Sequence, residues 1–133
     1  VKCECYWPEQ SQTYGDITVS VQKITQTAAI ITRTFSLKKA QSMVQITVEQ
    51  LQYLRWPDHG VPRNTSDLVQ LIALMDKCRT PGSGPTIVHC SAGIGRNGHI
   101  YSTGYSPEDG ACGLKKVNVY KCVSELRKKR LKM

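Results

Sequence analysis

The stretch TIVHCSAGIGRNG, Thr86 to Gly98, limits what this chain can fold into more than any other part of it. Ile87 and Val88 form a short apolar run that predicts the end of a buried strand. They deliver His89 and Cys90 to a loop of Ser91, Ala92, Gly93, Ile94 and Gly95, with Arg96 next. With so little side-chain bulk, this loop is free to curl until successive backbone N–H groups point at one centre, forming a nest for a tetrahedral oxyanion such as phosphate. Cys90 then sits at the floor of the nest. Amide dipoles, a nearby guanidinium and the start of a following helix all favour thiolate over thiol there. Arg96 can clamp two oxygens of a bound phosphoryl group with its planar fork. The plain alternative is a structural cysteine at a glycine-rich strand-to-helix turn, since free Cys is among the most buried residue types.

Upstream lies a second unusual string, WPDHGVP, Trp56 to Pro62. Two prolines and a glycine around an acid and an aromatic leave the backbone few options, and Trp56 is large enough to anchor a hinge. Taken alone, Asp58 reads as a turn cap, a common role for Asp in Pro-Asp-x-Gly sequences.

Together the two strings carry a resemblance. HCSAGIGR is similar to the signature loop of the protein tyrosine phosphatases, in which His-Cys, five residues, Arg, then Ser or Thr and Gly recur. WPDHGVP resembles the acid loop of the tyrosine-specific branch. The opening VKCECYWP resembles the K-C-x-x-Y-W-P segment of such domains, and SELRKKR resembles a later family helix ending in L-R-x-x-R. The resemblance implies a hydrolase acting on phosphotyrosine-containing proteins through a cysteinyl phosphate on Cys90. Arg96 and the backbone of Ser91, Ala92, Gly93, Ile94 and Gly95 would hold the phosphoryl group, and Lys2 would reach the rim of the site. His89 would tune the cysteine. Asp58 would protonate the departing phenolate, whose reference pKa of about 10 makes it a poor leaving group unaided. It would then take a proton from the attacking water. No metal or organic cofactor is implied.

The chain departs from the family pattern at two places. Asn97 stands where the family has a Ser or Thr whose hydroxyl supports the cysteine sulfur and helps it leave. The segment 99–114 carries Gly104, Pro107, Gly110 and Gly113 where the family has a long apolar helix. An interior Gly costs a helix about 1 kcal/mol relative to Ala and a Pro about 3, so at best a turn or two is expected from Arg96 to Thr103. A divergent copy and a misassembled gene model both account for such a segment. Residues 1–133 are thus expected to be a partial phosphatase domain, with the acid loop at 56–62 and the signature loop at 89–98, covering about the second half of a typical family domain.

The remaining sequence predicts an α/β chain of the α+β kind, a mixed and largely antiparallel twisted sheet flanked by helices. Ile17, Val19 and Val21 alternate with polar residues. Ala29 to Leu37 places Ile31, Phe35 and Leu37 on one face with Arg33 between them. Met43 to Leu54 changes phase between Val48 and Leu51, which predicts a bulge near Glu49 and Gln50. Tyr6 and Trp7 are expected to pack inward. Asn64 to Cys78 is the clearest helix, with a cap at Asn64, Thr65 or Ser66 and a stripe of Leu68, Leu71, Ile72 and Met75. A last helix is expected within Val117 to Met133, capped by Asn118.

Net charge is +8, much of it in the last twenty residues. Tyr120 is the single aromatic among these lysines and arginines, so they read as a solvated helix face and no nucleic acid is expected as partner. The six cysteines show no paired metal-ligand spacing, and His59, His89 and His99 are scattered, so free thiols and no metal are expected. There is no signal-peptide pattern and no apolar run of about eighteen residues. The expected location is the cytoplasm, or the cytoplasmic part of a membrane-anchored parent, with no membrane contact from this chain. Beside the enzyme reading stand two others: a catalytically impaired phosphotyrosine-binding module and a fragment that does not fold alone.

Overall fold

The alternation that begins at Ile17 becomes the second strand of an antiparallel meander in a computed structural model, which describes residues 4–102 and 119–131. Four strands follow one another in sheet order: β1 (Ser11–Tyr14), β2 (Ile17–Gln26), β3 (Ile30–Lys39) and β4 (Gln45–Tyr53). Three helices follow: α1 (Thr65–Cys78), α2 (Gly95–Ser102) and α3 (Val119–Lys129). This is the expected α+β class, and every strand pair among the described residues is antiparallel. The chain divides into two compact units, Cys5–Thr80 and Pro81–Met133 with Val1–Glu4.

In the first unit the sheet has two distinct faces. On one, Arg33 donates to Gln50 and Gln52 at 2.9 and 2.8 Å and lies 4.5 Å under the ring of Trp7. Ile31, Phe35 and Leu37 share that face with Arg33, as the alternation predicts, and Phe35 is buried. On the other face Thr34 donates to Glu49 at 2.9 Å. Helix α1 contacts the sheet mainly at β4. Ile30, 2% exposed, and the α1 residues Leu68, Leu71 and Met75 make up most of this unit's core together with Ala29 and Phe35. Trp7 is half-buried, but Tyr6 is 53% exposed rather than packed inward. Its hydroxyl accepts from Gln50 at 3.2 Å, a polar tie that keeps the ring at the surface.

The bulge lies elsewhere than expected. The β3–β4 register is continuous from Ile30↔Tyr53 to Lys38↔Gln45, whereas the β2–β3 register shifts between Val21 and Lys23 and leaves Gln22 as the extra residue. The phase change along β4 has another cause. Val44, Ile46 and Val48 project on the Arg33 face near one end, and Leu51 and Tyr53 project on the opposite face at the other end. No inserted residue is needed, because a straight strand serves different faces at its two ends. A further strand, β1, forms on the polar segment SQTY, which carries no apolar alternation. It pairs through Ser11↔Ser20 and Thr13↔Thr18, whose hydroxyls meet at 2.9 and 3.0 Å, and turns into β2 through Gly15 at φ 61° and Asp16.

Helix α1 starts as its sequence predicts. The Asn64 side chain accepts from the Ser66 N–H at 3.0 Å, and Asp67 lies in the first turn. Asn64→Ala removes that acceptor and is expected to lower stability by about 1 kcal/mol, read as a lower urea midpoint at unchanged slope.

In the second unit the short run before the cysteine departs from expectation. Thr86 to Val88 carries no strand, and Ile87 is 83% exposed. A strand exists only by pairing, and the described residues of this unit contain no second strand. Helix α2 is eight residues long and opens with Gly98 N–H donating to Ile94 C=O at 3.1 Å, in line with the one or two turns that Gly-rich sequence permits. The rest of the atypical segment, 103–114, lies outside the described residues, as do Lys2, Cys3, Cys112 and the Asn118 cap. Helix α3 carries Arg127, Lys128 and Lys129 in its last turn, where positive charge suits the helix dipole. Lys128 also bonds Glu125 at 2.7 Å and holds that carboxyl below its usual range. No helix among the described residues is long and apolar enough to cross a membrane.

Candidate active site

Cys90 is half-buried, and burial by itself pushes its thiol upward. The backbone outweighs that effect: the N–H groups of Asn97, Ile94, Gly93 and Arg96 hydrogen-bond to the sulfur and hold the thiol below its ordinary value of 9.0. These four amides come from the glycine-rich loop and the first turn of α2. Ser91 and Ala92 open the loop, and the donors that address the sulfur begin at Gly93. Gly93 itself sits at φ 68°, a conformation that costs glycine nothing and lets the loop reverse.

The cysteine's neighbours fix its backbone. The Nδ1–H of His89 donates to Cys90 C=O at 3.1 Å, the only role open to a ring nitrogen facing a carbonyl. Arg96 is half-buried at the start of α2. Asn97 is 6% exposed. Its Nδ2 donates to Val88 C=O at 2.9 Å, tying the start of α2 to the segment that leads into the cysteine. The other amide atom, Oδ1, is buried with no hydrogen-bond partner among the described residues. Asn97 thus supports the thiol through its backbone N–H, a route that replacing Ser or Thr by Asn does not disturb.

The acid loop belongs to the other unit. Trp56 spans it: its indole N–H donates to Gly60 C=O at 3.2 Å, and its ring meets Tyr53 edge to face at 6.2 Å. Gly60 adopts φ 83°. The Trp ring therefore closes the loop on itself. Asp58 lies within this closed turn, exposed to solvent. Beside it a recess of about 490 Å³ is lined by Tyr53, Arg55, His59, Arg63 and Asp67 among others. Arg55 pairs with Asp67 at 3.5 Å. The Tyr53 phenol is pushed up by burial, then by the Asp67 charge, with Arg55 acting in the opposite direction.

Two residues that matter to this geometry were not singled out as site residues from the sequence. Val88 matters through its carbonyl, for which no side-chain signal exists. Arg130, just beyond α3, donates from Nη2 to Ala92 C=O at 2.8 Å. The L-R-x-x-R spacing was the available signal for it.

The family model of the protein-tyrosine phosphatases matches residues 1–133. The chain belongs to the protein-tyrosine phosphatase family. Among curated phosphatases, receptor-type tyrosine-protein phosphatase U of Gallus gallus is 35% identical over 100% of the chain and 9% of its own length. Receptor-type tyrosine-protein phosphatase F of Danio rerio is 41% identical over 74% of the chain and 5% of its own length. Receptor-type tyrosine-protein phosphatase S of Gallus gallus is also 41% identical over 74% of the chain, and 6% of its length is covered. The chain therefore spans less than a tenth of each of these phosphatases.

Proposed function

We propose that this chain is the nucleophile-bearing part of a phosphotyrosine phosphatase, with Cys90 as nucleophile. The observation that carries the reading is the set of four backbone N–H groups turned onto the Cys90 sulfur, which lowers the thiol in spite of burial. A thiolate at neutral pH attacks phosphorus, forming an S–P bond as the P–O bond to the phenol breaks. Arg96 and the Ser91–Gly95 backbone hold the equatorial oxygens, and Asp58 gives its proton to the phenolate. Water then attacks the cysteinyl phosphate, passes a proton to Asp58 and restores the thiolate. His89 and Trp56 act as positioning residues, the first through Cys90 C=O and the second through the acid loop. The proposal also gives Lys2 a place at the rim, on the strength of the resemblance alone. The substrates are phosphotyrosine-bearing proteins, and the free thiols of Cys5, Cys78 and Cys90 fit a reducing, cytoplasmic setting.

A second reading is favoured by one observation. The Asn97 amide is engaged with Val88 C=O, so the side-chain donor that family members direct at the sulfur is missing. Cleavage of the phosphocysteine is then the slow step, and the chain holds phosphate longer than it turns it over. Rapid mixing with p-nitrophenyl phosphate separates these readings from each other and from inactivity. The expected result is a burst of about one p-nitrophenolate per chain followed by slower steady release. A folded chain that releases nothing above buffer overturns both.

A further inference from the structure

Arg130 holds the signature loop from outside, at a point where the loop's own geometry makes that grip consequential. Helix α3 ends with Arg130 N–H donating to Leu126 C=O at 2.9 Å, which fixes where the side chain starts. Its Nη2 reaches Ala92 C=O at 2.8 Å. The same guanidinium lies along Gly93: a Cβ built on that glycine would be 3.6 Å from Nη2 and 3.7 Å from Cζ.

The carbonyl of Ala92 and the N–H of Gly93 belong to one peptide plane. In a trans peptide these two groups point in opposite directions. Here the N–H is turned onto the Cys90 sulfur and the carbonyl onto Arg130, with Gly93 at φ 68°. In a nest every inward N–H leaves an outward C=O that needs a donor, and here a cation supplies it. A charge on the oxygen also polarises the amide, strengthening the hydrogen bond made on the opposite side.

We infer that Arg130 is a positioning residue, which locks the Ala92–Gly93 peptide with its N–H turned onto the Cys90 sulfur and so acts on the nucleophile from the far side of the loop. The inference rests on the proposed role of Cys90 and deepens it. Arg130 touches neither the sulfur nor the phosphoryl group in this scheme. Its influence passes through one peptide bond.

The test is the pH profile of Cys90 alkylation by iodoacetamide in the full chain, followed by peptide mapping so that Cys90 is scored apart from Cys5 and Cys78. Phosphate turnover plays no part in it. Arg130→Met is expected to move the profile to higher pH, slowing Cys90 alkylation by about threefold to tenfold at about pH 6, with the rates converging at high pH once the thiol is ionised in both. Lys129→Met, which removes a positive charge from the exposed last turn of the same helix, is expected to leave the profile in place. A folded Arg130→Met chain with the unaltered profile overturns the inference. An equal shift in Lys129→Met also overturns it, because long-range charge then suffices. If Arg130→Met does not fold, Arg130→Gln is read in the same way, since its shorter amide keeps polarity without spanning to Ala92. Should Cys90 in the unaltered chain alkylate no faster than Cys5 at about pH 6, the nucleophile reading itself fails. That failure is distinct from an Arg130 variant that merely leaves a fast Cys90 unchanged.

Discussion

Cys90→Ser is expected to leave the chain folded and to remove both the burst and the steady release of p-nitrophenol, a loss on the order of 10⁴-fold or more. The four amides around the sulfur stabilise a soft, easily ionised atom. A serine hydroxyl in the same place is far harder to ionise, and His89 Nδ1, engaged on Cys90 C=O, is not placed to take its proton. Burst and steady-state kinetics beside the unaltered chain check this. A Ser variant that still bursts would place the phosphoryl group on another residue. The same substitution has a signature in stability. The folded thiol is depressed below 9.0, so the stabilisation it contributes is fully present above the unfolded thiol's value and is lost as pH falls through the lower folded value. Urea melts across that window should show a rise in stability with pH in the unaltered chain and a flatter curve in Cys90→Ser.

How much of this was legible in the sequence depends on whether side chains or backbone carry the feature. Helix α1 was legible to its cap because Asn64, Asp67 and the Leu68, Leu71, Met75 stripe are all side-chain signals. The Phe35 face of β3 was legible for the same reason. Strand β1 was not: SQTY shows no alternation and is exposed throughout, and it exists because Gly15 turns the chain back onto β2. The β2 bulge at Gln22 left no mark, while the phase change in β4 suggested one that the register does not contain. At the candidate site, the glycine-rich turn between Cys90 and Arg96 was legible as a run of small residues. The particular amides that reach the sulfur depend on the turn at Gly93, and the outward carbonyls held by Asn97 and Arg130 belong to residues whose identity is irrelevant to the contact. Sequence periodicity reports which faces are apolar, so hydrogen bonds made by main-chain oxygens lie outside what it encodes.

Asn97→Thr is expected to split the two chemical steps. The threonine hydroxyl has the reach to donate to the sulfur, and a hydrogen bond to a charged partner is worth about 1.5 to 3 kcal/mol. If that bond forms as sulfur leaves phosphorus, it accelerates phosphocysteine hydrolysis by about tenfold to a hundredfold, since each 1.36 kcal/mol is a factor of ten. The burst rate should change much less, because Gly93, Ile94, Arg96 and residue 97 still present their backbone N–H groups to the thiolate. There is an opposing cost. Threonine cannot span to Val88 C=O as the Asn97 amide does at 2.9 Å, so one tie at the base of the loop is lost, about 1 kcal/mol of stability. The buried and unpartnered Oδ1 disappears at the same time, which offsets part of that loss. The expected outcome is therefore a chain of similar or slightly lower melting temperature, an unaltered burst rate and a steady-state rate raised by at least tenfold. Asn97→Ala serves as the reference, lacking both the tie and the hydroxyl: its burst should persist while its steady rate stays at or below that of the unaltered chain. A Thr variant whose steady rate matches the Ala variant would show that the second step is limited elsewhere, with Asn97 acting only as a strut beneath the loop.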